Sequence, residues 1–133
     1  MRSILHIFLV IGLVFGLNSC KNAEATEEPN VEVVSVQQMN DLLKSEDVQL
    51  IDVRTPEEFS SGHINGAENV TYDADFAEKL AKLDKSQPIA VYCNKGGRSA
   101  KSAALLKEAG FKEIYDLDGG LSAWIKDNQQ TVK

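Results

Sequence analysis

The sequence has little cysteine, little proline and no surplus of basic charge. Two cysteines among 133 residues are too few for a disulfide scaffold. Three prolines and a hydrophobic fraction of 43% exclude collagen-like and low-complexity chains. The formal charge of −6 argues against a general nucleic-acid binder, because phosphate recognition needs an excess of lysine and arginine. These properties indicate one small acidic globular domain, and each of its two cysteines needs an explanation.

The sequence also lacks a hydrophobic run long enough to favour a membrane-spanning helix. Its longest apolar stretch, from Ile4 to Leu17, has about 14 residues, whereas a spanning helix needs about 20. Arg2 precedes this stretch and the small polar segment Asn18-Ser19-Cys20 follows it. This layout is typical of a secretory signal peptide, and a short transmembrane anchor is the alternative.

The end of this stretch, Leu17-Asn18-Ser19-Cys20, resembles the lipobox of bacterial lipoproteins. The resemblance implies that residues 1–19 are a signal peptide and that Cys20 becomes the lipidated first residue. Residues 20–31, which are acidic and offer no apolar face, would form a flexible tether. The expected location is the bacterial cell envelope, lipid-anchored at the periplasmic face. Lys21 in place of an aspartate favours the outer membrane.

Residues 32–130 alternate short β-type runs with helical patterns, and no repeat interrupts them. We predict strands at 31–34, 48–53, 67–70, 89–92 and 113–117, and helices that begin near Ser35, Thr55, Asp73, Ser99 and Gly120. Ser35 with Gln38, and Thr55 with Glu58, have the spacing of capping boxes. Regular βα alternation indicates an α/β fold of three layers, a mainly parallel sheet of about five strands with helices on both faces.

The segment after the 89–92 strand combines a cysteine with residues suited to anion binding. Parallel strands place their ligands beyond their carboxyl ends, and glycines allow a loop to turn its backbone N–H groups inward. The predicted loop residues are Asn94, Lys95, Gly96, Gly97 and Arg98, which directly follow Cys93. A helix N-terminus and nearby cations lower a thiol pKa. Lys85 to Lys107 also contains five basic residues and no acid, so a small anion is the expected ligand.

Four ordered motifs between about Val33 and Lys126 resemble the rhodanese family of sulfurtransferases. They are Ile51-Asp52-Val53-Arg54 with Glu58-Phe59, Gly62-His63-Ile64 with Gly66-Ala67 and Asn69, the loop C-x-x-G-x-R, and Asp118-Gly119-Gly120 with Trp124. The resemblance implies that Cys93 accepts the sulfur, that backbone N–H groups of residues 94–98 cradle it, and that Arg98 helps hold an anionic donor. No metal or organic cofactor is implied. Asn94 departs from the basic residue found in many members, which leaves the preferred donor open.

The function expected from this resemblance is transfer of a sulfane sulfur from thiosulfate or a persulfide to cyanide or a thiol. The expected partners are a small anionic donor and a thiol or thioredoxin-like acceptor. The chain is expected to be a monomer that attaches to the membrane by lipid alone. One alternative is a non-catalytic persulfide carrier or binding module. Another is a cysteine phosphatase, although phosphatases of this fold place one more residue between cysteine and arginine than the four found here.

Other chemically active side chains are predicted to be structural. Asp52 and Arg54 follow a strand, where charged pairs tie loops together, and Arg54 is expected to pair with Glu57 or Glu58. His63 lies in a motif that the resemblance makes structural. Trp124 is expected to anchor the last helix in the core. Lys95 and Lys101 are expected to guide anions electrostatically.

Overall fold

The computed structural model describes residues 28–45 and 47–133. Its strands are β1 (Asn30–Val34), β2 (Gln49–Asp52), β3 (Glu68–Asn69), β4 (Ile89–Tyr92) and β5 (Glu113–Leu117). Its helices are α1 (Val36–Leu43), α2 (Pro56–Ser61), α3 (Phe76–Leu80), α4 (Gly97–Glu108) and α5 (Gly120–Lys126). The predicted signal peptide, Cys20 and most of the predicted tether lie outside the described residues.

All strand pairs in the sheet are parallel, in the order β1-β5-β4-β2-β3. Every residue of β4 is buried, and its side chains alternate between the two faces of the sheet. Ile89 and Val91 join a core with residues of α3 and α4, whereas Ala90 and Tyr92 join a core with residues of α1 and α5. The predicted three-layer α/β fold is confirmed, and β4 runs through its centre toward the cysteine loop.

The helix starts agree with the sequence prediction for α1, α2 and α5, and they differ for α3 and α4. Both capping boxes are present, at Ser35 for α1 and at Thr55 for α2. The prediction that Asp73 caps α3 is wrong, because the N-cap is Asp75 and the Asp73 carboxylate accepts the Asp75 N–H in the preceding turn at 3.1 Å. Helix α4 begins at Gly97 rather than near Ser99. Its earlier start places the helix N-terminus inside the predicted binding loop.

Asp52 and Arg54 form a buried ion pair, which corrects the predicted partner of Arg54. Arg54 Nη2 donates to Asp52 Oδ2 at 2.6 Å and to the carbonyl of Gly62 at 2.7 Å. Both charged side chains are at most 5% exposed. A charged pair that also binds the Gly62 carbonyl joins the end of β2 to the end of α2, so the predicted structural role is confirmed.

The Gly-His-Ile segment is held by packing and backbone contacts. The imidazole of His63 stacks on Phe59, with ring centroids 3.7 Å apart, and its Nδ1 lies 3.0 Å from the Phe59 carbonyl oxygen. The N–H of Ile64 donates to the Tyr92 hydroxyl at 3.0 Å. These contacts fit the structural role predicted for His63. Trp124, 5% exposed in the core beside Tyr92, anchors α5 as predicted.

Within residues 28–45 and 47–133, no helix has the length and apolarity needed to cross a membrane.

Candidate active site

Cys93 lies between the end of β4 and the start of α4. Its side chain is buried, with 2% of the residue exposed. Gly96 caps the 12-residue helix α4 with a φ of 110°, a left-handed conformation that glycine adopts without a steric penalty. This turn brings the chain back over the cysteine, so the loop from Asn94 to Gly97 curves around the sulfur.

The sulfur of Cys93 is surrounded by hydrogen-bonding groups. The N–H of Gly96 donates to Sγ at 3.0 Å, and the hydroxyl of Ser99 lies 3.7 Å from Sγ. Burial by itself raises the thiol pKa, but hydrogen bonds from Ser99 and from the backbone of Gly96 and Lys95 outweigh burial and bring the pKa below its usual value. The thiolate is therefore more favoured than in an ordinary cysteine, as the loop sequence predicted.

Helix α5 holds the outer side of the cysteine loop. The N–H of Leu121 donates to the Cys93 carbonyl at 2.8 Å, and the N–H of Ser122 donates to the Asn94 carbonyl at 3.0 Å. Any Cβ on Gly120 would lie 2.7 Å from the carbonyl carbon of Asn94, which is closer than real contacts allow. The Asp118-Gly119-Gly120 motif was therefore recognisable in the sequence, but its function of letting α5 dock on the loop became visible only in three dimensions.

Arg98 is engaged by a carboxylate that sequence reasoning did not assign to the site. Its guanidinium donates two hydrogen bonds to Glu58, at 2.7 and 2.9 Å. Glu58 Oε2 also accepts the N–H of Thr55 at 2.9 Å as part of the α2 capping box. Arg98 and the other neighbours hold the pKa of Glu58 at about 2. The positive charge assigned to donor binding is thus largely compensated by a fixed negative charge.

Lys95 and Lys101 are the other cations of the loop and of the first turns of α4. Both are exposed, and no described residue forms an ion pair with either ammonium group within 4.0 Å. Their positions agree with the predicted role of attracting anions from solution. In the part of the chain that the structure describes, no cluster of three histidine, cysteine or acidic side chains is placed to hold a metal ion.

These features define a class of protein, a three-layer α/β domain with a buried, hydrogen-bonded cysteine in a strand-to-helix loop. The Rhodanese-like domain family model matches residues 35–127. Thiosulfate sulfurtransferase GlpE of Shewanella oneidensis is 37% identical over 95 residues, covering 71% of this chain and 93% of that protein. The chloroplastic thiosulfate sulfurtransferase 16 of Arabidopsis thaliana is 42% identical over 109 residues, covering 74% and 90%.

Solved structures give the same result. A rhodanese-related protein from Thermoplasma volcanium matches with a TM-score of 0.69 and 28% identity, covering 76% of this chain and 97% of the other. A rhodanese-like domain protein from Staphylococcus aureus matches with a TM-score of 0.62 and 32% identity, covering 70% and 90%. The chain belongs to the rhodanese-like domain family, and it is an enzyme of the sulfurtransferase class.

Proposed function

We propose that Cys93 carries sulfur from a small donor, thiosulfate or an organic persulfide, to a thiophilic acceptor such as cyanide or a thiol. The observation that supports this most directly is the Gly96 N–H, which donates to the Cys93 sulfur at 3.0 Å. A group that stabilises charge on the reacting sulfur lowers the barrier in the manner of an oxyanion hole. Three relatives named for this activity are 37% to 42% identical to the chain.

The reaction proceeds in two displacements at sulfur. The Cys93 thiolate attacks the outer sulfur of thiosulfate, a new S–S bond forms, and the old S–S bond breaks as sulfite leaves with the electron pair. The acceptor then attacks the terminal sulfur of the Cys93 persulfide, which releases the thiolate. Neither step needs an oxidant or a reductant. The backbone N–H groups of residues 94–98 stabilise the anionic sulfur.

A persulfide carrier is the alternative that shares this chemistry. Enzyme and carrier differ in turnover, which is measured by following thiocyanate formed from thiosulfate and cyanide. We expect many thiocyanate molecules per chain for the wild type and none above background for Cys93→Ser, with unchanged thermal unfolding. A single equivalent per chain would support the carrier instead, and wild-type turnover in Cys93→Ser would contradict both.

We also propose that the domain acts at the membrane surface, attached through lipid on Cys20 at the periplasmic face of the bacterial envelope, with the outer membrane favoured. The lipobox-like segment Leu17–Cys20 supports this. Several acyl chains give stable attachment, whereas a single chain is marginal. In this setting a monomeric chain would meet diffusing anionic donors and thiol or thioredoxin-like acceptors, with Cys93 as its reactive thiol.

A further inference from the structure

Asp116 is a buried acid that the proposed reaction does not yet use. The residue is 5% exposed, and its Oδ1 atom has no hydrogen-bond partner. Burying an unpartnered carboxylate oxygen is costly, and most buried polar atoms in proteins are hydrogen-bonded. An unsatisfied acid in the central sheet therefore calls for a functional explanation.

The strand register places Asp116 beside the cysteine site. Asp116 on β5 is the partner of Val91 on β4, two residues before Cys93. Ile114 packs in the same core as Val91 and Cys93, and Asp116 lies two positions farther along β5 on the same face of the sheet. This face is covered by α4, from which Ser99 points inward, fully buried.

Ser99 connects the acid to the sulfur. Ser99 interacts with the Asp116 carboxyl group and lowers its pKa. Ser99 Oγ also lies 3.7 Å from Cys93 Sγ and donates to the Gly96 carbonyl at 3.2 Å. A serine hydroxyl has one proton to donate but two lone pairs to accept with. Whichever group receives the Ser99 proton therefore determines what Ser99 offers to the others.

We propose that Asp116 is a positioning residue that sets the protonation of Cys93 through the Ser99 hydroxyl. This inference rests on the proposed function, in which Cys93 is the nucleophile. When Asp116 is ionised, it competes with the Gly96 carbonyl for the Ser99 proton, and Ser99 then presents a lone pair that favours the protonated thiol. When Asp116 is protonated, it donates to Ser99 Oγ, and the Ser99 O–H turns to the sulfur and stabilises the thiolate.

The charges around this relay bias it toward the protonated acid. Burial is the main cause that raises the pKa of Asp116, and the carboxylate of Asp118 adds to it, while Ser99 opposes it. Arg98 is the cation that acts on the sulfur from the α4 side. Among the described residues facing the pair from β4, α4 and the β5–α5 turn, these are the groups whose charge acts on it. A raised pKa keeps Asp116 protonated to a higher pH than an ordinary carboxyl group, which prolongs the state that favours the thiolate.

The test is the pH dependence of Cys93 alkylation by iodoacetamide in the wild type, Asp116→Asn, Ser99→Ala and the double variant. Asp116→Asn removes the ionised state that draws the Ser99 proton away from the sulfur, so we expect this change to lower the midpoint of Cys93 alkylation by about 0.5 pH unit or more, about a threefold faster reaction below the midpoint. In the Ser99→Ala background the same change should have less than half this effect, as coupled residues do. An unchanged midpoint in Asp116→Asn, or a full effect without Ser99, would overturn the proposal.

A measurement that keeps Asp116 covers the case in which Asp116→Asn does not fold. The infrared band of the protonated Asp116 carboxyl group is titrated in the wild type and in Ser99→Ala. Ser99 lowers the pKa of Asp116, so the Asp116 midpoint should rise when the hydroxyl is removed. An unchanged midpoint would contradict the coupling. Neither experiment uses a sulfur donor, so their outcome is distinct from failure of the proposed sulfur transfer.

Discussion

At the scale of single residues, the cysteine and its loop were predictable, whereas their long-range partners were not. Cys93, the glycines and Arg98 are adjacent in the chain, and their spacing predicts an anion-binding loop directly. Glu58 stands 40 positions before Arg98, and most of helix α4 and part of β5 separate Asp116 from Ser99. Their roles depend on which strands are neighbours in the sheet. Only the folded arrangement shows that Glu58 compensates Arg98.

The Glu58–Arg98 pair predicts a change in donor preference. Glu58→Gln keeps the capping interaction at Thr55, because glutamine serves the capping box as well as glutamate, but it removes the charge beside Arg98. We expect kcat/KM for dianionic thiosulfate to rise about threefold or more relative to an organic persulfide of lower charge, because a freed cation favours the more highly charged donor.

The matched control is Glu57→Gln, an equal change of charge on the neighbouring residue of α2, which forms no ion pair with Arg98 among the described contacts. This control should leave the ratio between the two donors nearly unchanged. Equal effects of Glu58→Gln on both donors would show that Arg98 does not discriminate by donor charge.

The same pair has a pH signature in stability. Because the folded pKa of Glu58, about 2, lies below its ordinary value of 4.5, its stabilisation is present above pH 4.5 and is lost as the pH falls toward 2. Both side chains are 35% exposed, so solvent screening limits the effect to under about 1 kcal/mol. Urea unfolding of Glu58→Gln should differ from wild type at pH 7 and converge with it in acid. A constant difference across this range would contradict the ion-pair explanation.

At the scale of elements, local patterns predicted most boundaries because each boundary has a local cause. Both capping boxes were predicted correctly from residue type and spacing. The error at Asp73 arose because two aspartates are near the start of α3, and the first of them closes a turn rather than capping the helix. The strand order β1-β5-β4-β2-β3 is a property of chain crossovers, which local patterns do not encode.

The contact between α5 and the loop predicts a specific cost for Gly120→Ala. Alanine would need a φ of 59° and would push its Cβ into the backbone of Asn94. The left-handed conformation alone costs about 1–2 kcal/mol. We expect a larger loss of unfolding free energy, together with reduced sulfur transfer because the cysteine loop must move.

Gly66→Ala is the control for backbone strain. Gly66 has a φ of 83°, but no heavy atom lies within 4 Å of the position its Cβ would take. Urea unfolding should show the conformational cost alone, with transfer per folded molecule retained. Equal losses of transfer in the two variants would argue that α5 does not hold the loop.

At the scale of the whole molecule, charge is distributed unevenly along the chain. The chain has a formal charge of −6, yet the segment from Lys85 to Lys107, which contains the cysteine loop, has five basic residues and no acid. A basic segment in an otherwise acidic chain still attracts small anions. The net charge therefore reflects the whole chain, whereas the basic segment supplies the cations of the cysteine loop.

The proposed lipid anchor predicts where the whole molecule is found. Cys20→Ser removes the acylated side chain, so we expect the protein to leave the bacterial membrane fraction while thiocyanate formation by Cys93 is retained. Immunoblots of separated membrane and soluble fractions measure this change. Continued membrane association of the Cys20→Ser chain would contradict acylation and favour the transmembrane alternative for residues 4–17.

The most direct test of the central claim is the mass of the purified protein after exposure to thiosulfate without reducing agent. We predict one added sulfur atom per chain, located on the peptide that contains Cys93, removed by cyanide and absent from Cys93→Ser. A wild-type protein that gains no sulfur on Cys93, or gains it equally in the Cys93→Ser variant, would contradict the account.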